Sequence, residues 1–405
     1  MILVIVIFGL LIRLISLNQS FWLDEATSGL VVRNFNLGEI ITKFSPGDFH
    51  PPLYYLILKV WSYIFGTSEI ALRLPSVIFG VAAIYVVYLI GREFLNKKTG
   101  LIAAVLLATS GLHVYYSQEA RMYSLITLLI SYLVYLFLKK RWLLFSIILL
   151  LIGMTDYPAL LIIPVFWLLG RKVWKQLAIS HLPLAISYIF WLPILLKQLS
   201  VGFSTAGSSW GNLLGTFSFK NFTLIPVKFI LGRISFDNKY LYVFVVILAV
   251  FLFGYLILKS TRRVDLIKNL RIIWLWLVVP ILLGMIISLK LSIFSYFRFL
   301  FCLPAFYLLV AVGLEKLKPK ISNILIIVLV GMNLIFSGIY LFTPRFQREG
   351  WRELTTFIKK ESEGKKTITL FIADSNMEAY KYYDSSTNTS GSKGFNTKYE
   401  EIWLM

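Results

Sequence analysis

The sequence predicts an all-α polytopic membrane protein: about eleven transmembrane helices in a bundle, an interfacial helix in the first outer loop, and a small α/β extracytoplasmic segment at the C-terminal end. Three observations carry that prediction. Hydrophobic residues fill 58% of the 405 positions and mean hydropathy is +0.78, with apolar runs too long and too frequent for a soluble core. The basic residues, 40 Lys and Arg against 20 Asp and Glu, fall mostly in short linkers between those runs. Beyond Phe342 the pattern changes to short helix and strand periods.

Eleven stretches read as spans: 2–17, 72–91, 101–115, 122–138, 142–154, 157–169, 177–196, 240–258, 272–289, 294–313 and 321–342. A crossing takes about 17–25 residues, so the shorter ones borrow flanking residues. The first reads as a retained helix, since neither a basic leading region nor a small-residue cleavage pattern accompanies it. Basic clusters at Arg92/Lys97/Lys98, Lys139/Lys140/Arg141, Arg171/Lys172/Lys175, Lys259/Arg262/Arg263/Lys268/Arg271 and Lys316/Lys318/Lys320 each end a run. The positive-inside rule sets them in the cytoplasm, which puts the N terminus inside the plasma membrane and the C terminus outside.

The stretch 52–65 is about two-thirds of the ~20 residues a crossing needs, and counting it as one would put Arg92, Lys97 and Lys98 outside. It reads as an interfacial helix instead. Pro51 and Pro52 suit its start, and Leu53, Leu56, Ile57, Val60 and Ile64 recur at helical spacing away from Tyr55, Lys59, Ser62 and Tyr63. The chain thus divides into a transmembrane part, 1–342, whose first outer loop is 18–70, and a tail, 343–405. In the tail, 351–360 reads as an amphipathic helix with Leu354, Phe357 and Ile358 inward, 367–372 as a strand, 377–383 as a helix and 402–405 as a strand start. The Ser/Thr/Asn/Gly-rich stretch 385–397 reads as a mobile loop. Two strands make no independent sheet, so the tail either docks on the membrane part or belongs to a longer, incomplete whole.

The charge of +20 is spent on topology rather than on a nucleic-acid partner. The single cysteine, Cys302, lies in an apolar run, so neither a disulfide framework nor a thiolate metal site is on offer. Two acidic signatures remain, both on the outer side: Trp22-Leu23-Asp24-Glu25-Ala26, and Tyr116 to Tyr123, which contains Glu119 and Arg121. A carboxylate at the edge of a hydrocarbon slab is costly, so ionisable clusters there mark functional sites. Asp48 and His50 lie in the same outer segment as Asp24.

Each residue also has a plainer reading. Asp24-Glu25 can cap a helix, and Glu119 and Arg121 can form an exposed helix entrance; two residues apart, they cannot pair with each other on a helix. His50 before two prolines can be a turn residue. Arg298, about one turn inside a span, needs a carboxylate or a ligand phosphate, and Asp156 has the same ambiguity. Trp22, Tyr54, Tyr116 and Trp210 read as an interfacial aromatic belt, with side chains also suited to sugar stacking.

The order of these motifs is similar to that of a known family. Trp22 to Ala26, then His50-Pro51-Pro52-Leu53-Tyr54-Tyr55, then Glu69-Ile70-Ala71-Leu72-Arg73-Leu74-Pro75-Ser76, then Tyr116 to Tyr123, resembles the C-superfamily (GT-C) polyprenyl-phosphate-sugar glycosyltransferases. The nearest group is the bacterial relatives of the dolichyl-phosphate-mannose protein mannosyltransferases and the aminoarabinose lipid A transferases. Phe297-Arg298-Phe299-Leu300 with Pro304, and Gly350-Trp351-Arg352-Glu353-Leu354, extend the likeness over nearly the whole chain. One departure is Asp156-Tyr157, where many relatives have His-Tyr.

The resemblance implies a bundle with a cavity open outward and sideways to lipid. It also implies transfer of a sugar from a polyprenyl-phosphate donor to a hydroxyl of a protein, lipid or glycan acceptor on the outer face. Attack by a hydroxyl needs a base, for which Asp24 is expected, and the departing phosphate needs Arg forks, for which Arg298 and Arg121 are expected. Glu119 is then free to orient the acceptor or to hold a divalent cation such as Mg, Mn or Zn with His50 or Glu25. Tyr123 and Asp156 are expected as sugar or acceptor support. Two other classes share some of these features. A lipid-linked sugar transporter or flippase would show broken helices in repeated halves, and an envelope scaffold would leave the acidic loops without a purpose.

Overall fold

The computed structural model describes residues 1–206, 215–261, 267–363, 365–372, 376–391, 399 and 401–405. All eleven apolar stretches are helical, and the chain is a multi-pass membrane protein. Among the described residues, six helices are long and apolar enough to cross a bilayer unaided: those spanning Glu69–Phe94, Arg171–Ser204, Lys239–Ser260, Leu270–Ile287, Tyr296–Glu315 and Pro319–Phe342. The bent pair Lys97–Thr109 and Gly111–Ser117 makes a seventh, and Ile2–Leu14, Tyr123–Leu138, Trp142–Gly153 and Pro158–Leu169 are shorter apolar helices.

We label the elements that bear on the site as α1 (Ile2–Leu14), α2 (Leu23–Asn34), α3 (Leu53–Phe65), α4 (Glu69–Phe94), α5 (Lys97–Thr109), α6 (Gly111–Ser117) and α7 (Tyr123–Leu138). α2 begins after Trp22, which supplies no side-chain cap; Asp24 and Glu25 lie in its first turn, so neither is the N-cap. α3 turns Tyr54, Tyr55 and Leu58 inward and leaves Val60, Ile64 and Phe65 exposed, with Leu53, Leu56 and Ile57 half-buried between the two faces. Tyr54 and Tyr116 are buried in the bundle rather than set in a surface belt, because their rings fill space between α3, α4 and the acidic loops. Trp210 lies outside the described residues, and so do Arg262 and Arg263.

The bend of 62° between α5 and α6 aims the second acidic signature. A break inside a span frees the last four carbonyls of the first half, which lipid cannot satisfy. Four side-chain donors satisfy them. Asn333 binds the Leu106 oxygen (3.1 Å), Arg13 binds those of Leu107 (3.4 Å) and Ala108 (3.0 Å), and Ser337 binds that of Thr109 (2.7 Å). A lone arginine inside the apolar α1 is thus explained by a partner helix that stops early.

After α8 (Pro319–Phe342) come α9 (Trp351–Glu361), β1 (Thr367–Leu370), α10 (Asn376–Tyr383), β2 (Asn388–Ser390) and β3 (Glu401–Leu404). The sheet has three strands, not two: β1 pairs in parallel with both neighbours, in the order β2-β1-β3, with Ile368 opposite Asn388 and Ile402. The added strand lies in the stretch read as a mobile loop; three polar residues carry too little alternation to announce it, and pairing with β1 creates it. The rest of that stretch, 392–398, lies outside the described residues. The tail docks through α10 onto α2, where the Tyr382 ring packs so close to Gly29 that a Cβ there would sit 2.4 Å from it.

Candidate active site

The segment 18–70, the loop after α6 and the tail converge on one end of the bundle. Glu25 is fully buried there. It accepts from Arg73 Nε (2.8 Å) and Nη2 (2.6 Å) and from the Ala120 N–H (2.9 Å), which ties the two acidic signatures together. Burial opposes the charge, but the Arg73 guanidinium overcomes it and holds the Glu25 carboxyl below the usual range.

Asp24 points the other way. Its side chain is 38% exposed and lies 3.9 Å from Arg121 Nη2. Arg121 is buried and donates through Nη1 to the Tyr55 hydroxyl (3.0 Å), and that hydroxyl donates to Asp48 (2.9 Å). His50 Nδ1 lies 3.5 Å from the same Asp48 carboxylate. Burial works against the Asp48 charge, yet His50 and Arg121 bring its pKa down to about 2. Gln198 fixes the backbone behind it by donating to the carbonyls of Ser45 (2.7 Å) and His50 (2.9 Å).

Glu119 is fully buried, so the reading of an exposed helix entrance does not hold for it or for Arg121. Glu119 Oε2 accepts from Arg348 Nη2 (3.2 Å), while Oε1 has no partner among the described residues. Burial and the nearby Glu25 push the Glu119 carboxyl well above the ordinary glutamate range. Tyr123 stacks edge-on with Tyr116 (5.0 Å between centroids) and Phe297 (5.5 Å) to form an aromatic wall. Asp156, buried at the corner after Trp142–Gly153, is pushed up by desolvation and sits within electrostatic reach of His50, Arg298 and Arg121.

Arg298 lies in the 3₁₀ turn Tyr296–Cys302, and its buried Nε has no partner among the described residues. Among the described residues it forms no ion pair with a carboxylate, which removes the structural-pairing alternative. It lines a cleft of about 640 Å³, counted to its open mouth, with Phe49, Pro158, Leu199, Leu291 and Ile293 as apolar walls and Tyr157, Gln198 and Ser292 as its other polar groups.

A cation held by Glu119, His50 and Glu25 does not fit these positions. Among the described residues no three His, Cys, Asp or Glu side chains are gathered as ligands, Glu25 is taken up by Arg73, and His50 faces Asp48. Sequence reasoning passed over Arg348, which follows the last span in the unpatterned stretch 343–350, and Arg233, whose Nη1 donates to the Tyr115 hydroxyl. It quoted Arg73 only as part of a motif. The available signal was that buried acids need partners, and Arg73 is a cation one turn after Glu69 in an otherwise apolar helix start.

Residues 49–196 match the family model of dolichyl-phosphate-mannose-protein mannosyltransferases. Over 179 residues, 40% of the chain, it is 29% identical to an uncharacterised protein of Aquifex aeolicus (strain VF5); the match spans about a third (35%) of that relative's length. The structure of ArnT from Cupriavidus metallidurans in the apo state superposes with a TM-score of 0.63 at 12% identity, covering 96% of this chain and 85% of that one. The chain has the fold of ArnT. The form of ArnT bound to undecaprenyl phosphate gives the same TM-score and identity over 97% and 86%. The archaeal oligosaccharyltransferase AglB from Archaeoglobus fulgidus, in complex with an inhibitory peptide and a dolichol-phosphate, gives 0.59 at 14% identity over 94% and 63%. The resemblance read from the motifs is therefore met by a family model over 49–196 and by the ArnT fold over almost the whole chain.

Proposed function

We propose that this protein is a membrane glycosyltransferase that moves a sugar from a polyprenyl-phosphate donor to an acceptor hydroxyl at the outer face of the plasma membrane. The observation that carries the reading is the pairing of an accessible Asp24, held beside Arg121, with a free arginine, Arg298, at an apolar cleft. A polyprenyl tail suits that cleft, and Arg298 suits the phosphate that follows it.

In the reaction the acceptor oxygen forms a bond to the anomeric carbon as Asp24 takes its proton. The bond from that carbon to the phosphate oxygen breaks, its electron pair leaves with the lipid phosphate, and Arg298 with Arg121 stabilises the charge that develops there. The partnerless Nε of Arg121 is one donor still to be used. Glu119 Oε1 orients the acceptor, while Tyr116, Tyr123 and Asp156 line the sugar's side. Pocket shape sets which sugar is carried.

Labelled-sugar transfer from purified polyprenyl-phosphate donors, in liposomes, tests this reading with wild type and Asp24→Asn, each with EDTA and with added Mn²⁺ or Mg²⁺. Transfer or donor hydrolysis by the wild type, reduced on the order of 10²–10⁴-fold in the variant and insensitive to EDTA, is expected. Lipid movement without turnover of any donor would replace it with transport.

A further inference from the structure

The cation that engages Glu119 comes neither from the bundle nor from the outer loop but from the segment between α8 and α9. We infer that Arg348 is a positioning residue: it holds one oxygen of Glu119 and leaves the other free to meet substrate, so that docking of the C-terminal tail completes the active site. The inference rests on the reading of the Asp24 and Glu119 corner as the reacting centre.

The placement of Arg348 is too specific for a surface charge. Its side chain is 3% exposed, its guanidinium lies 3.8 Å over the Tyr115 ring, and its Nε is 3.8 Å from Glu25 Oε2 while Nη2 reaches Glu119. Its backbone N–H donates to the Gln19 side chain (2.9 Å), which fixes the segment against the residues that lead into α2. Burial without full pairing brings the guanidinium down to about 9, a cost that tail docking must offset.

That docking is extensive and lands on the helix that carries Asp24. Tyr383 accepts from the Phe21 N–H (2.6 Å) and donates to Glu69 (3.1 Å). Arg33 of α2 donates to the Tyr382 carbonyl (2.6 Å) and lies 3.7 Å over its ring. Arg352 donates through its side chain to Glu69 (3.0 Å) and through its backbone N–H to the Ser20 hydroxyl (3.1 Å). A tail that lifted away would withdraw Arg348 from Glu119 and free α2 in the same motion.

Other charges also face Glu119. Asp24 and Glu25 approach from α2, Arg121 from its own loop, and Arg233 from beyond Phe219–Leu231. Tyrosines close the remainder: Tyr54 from α3, Tyr116 from α6, Tyr123 from α7 and Tyr340 from α8. Arg348 alone among the described residues makes a direct ion pair with it. Removing that cation makes ionisation of Glu119 harder, so any activity that needs the carboxylate loses its acid side at higher pH.

The test compares wild type, Arg348→Met, Arg348→Lys, Glu119→Gln and the Arg348→Met/Glu119→Gln pair as full-length protein in liposomes, by pH profile of donor turnover. We expect Arg348→Met to lose kcat by on the order of 10²-fold with donor KM within about threefold. Its acid limb should rise by about one pH unit, Arg348→Lys should restore part of both, and the second substitution should add nothing in the Glu119→Gln background. Loss of activity with an unmoved acid limb, no recovery by Lys, or additive effects would overturn the inference while leaving the transferase reading intact. Infrared titration of the carboxyl band that disappears in Glu119→Gln separates the two failures. If the wild type turns over no donor, the transferase reading fails, and an unmoved midpoint in Arg348→Met would overturn the inference as well, whereas a raised midpoint would leave Arg348 in control of Glu119.

Discussion

Two glutamates, Glu25 and Glu119, are buried to the same extent at one end of the bundle, face the same Arg348, and are treated in opposite ways. Glu25 is saturated: both its oxygens accept from Arg73, one also takes the Ala120 N–H, and Arg73 spends its other donors on the carbonyls of Leu17, Gln19 and Ser20. Glu119 keeps one oxygen on Arg348 and, among the described residues, one on nothing. The ionisation of the two moves apart accordingly, down for Glu25 and up for Glu119. A complete buried network fixes a unique geometry, whereas a buried acceptor left open needs an explanation, and a substrate that uses it is the one the proposed function supplies. On the proposed function, the first corner is scaffold and the second is site.

Breaking the saturated corner should have the largest effect on stability. Arg73→Met leaves the Glu25 charge in a dry environment with a single N–H and a distant Arg348, and is expected to cost about 3–5 kcal/mol. Thermal unfolding in detergent measures it, and a change no greater than that of a surface substitution would contradict the assignment of Glu25 as scaffold.

This difference explains what the sequence made legible. Spans are local in sequence, so 72–91 and 321–342 declare themselves by composition, and Glu69–Phe94 and Pro319–Phe342 form where expected. Acids in a hydrophobic chain are also conspicuous, which brought Asp24, Glu25 and Glu119 forward together. Which of them is scaffold depends on partners 48 positions away for Glu25 and 229 for Glu119, and no period links such residues. Arg348 carries no local signal at all. β2 was hidden for the same reason, since a three-residue polar strand exists only through its pairing with β1.

A second way to sharpen the contrast is Asp48, whose carboxylate accepts from Tyr55 and faces His50. Its pKa in the fold, about 2, is below that of an unfolded Asp near 3.9, so the folded state binds its proton less readily. Stability from this group is full above about pH 4 and drains away as pH falls toward 2. Asp48→Asn is expected to cost about 2 kcal/mol at neutral pH. The gap between variant and wild type should narrow over that window in pH-dependent unfolding, and a gap that stays constant would place the loss in shape rather than charge.

Glu119→Gln should have the smallest effect on stability, and of opposite sign to Arg73→Met. A carboxyl whose pKa is raised by folding binds its proton more tightly in the native state, so it loses stability as pH rises from its unfolded value through its folded one. The neutral isostere escapes that penalty, and Arg348 retains Glu25 as a nearby counter-charge. Unfolding at pH 8 should therefore find the variant within about 1 kcal/mol of wild type or above it, and the difference should shrink at pH 5. Turnover should fall sharply in the same preparation, because the free oxygen is gone while the fold is untouched. A variant that unfolds as readily as Arg73→Met would mean that the open oxygen of Glu119 is as structural as those of Glu25, and the division between the two corners would fail.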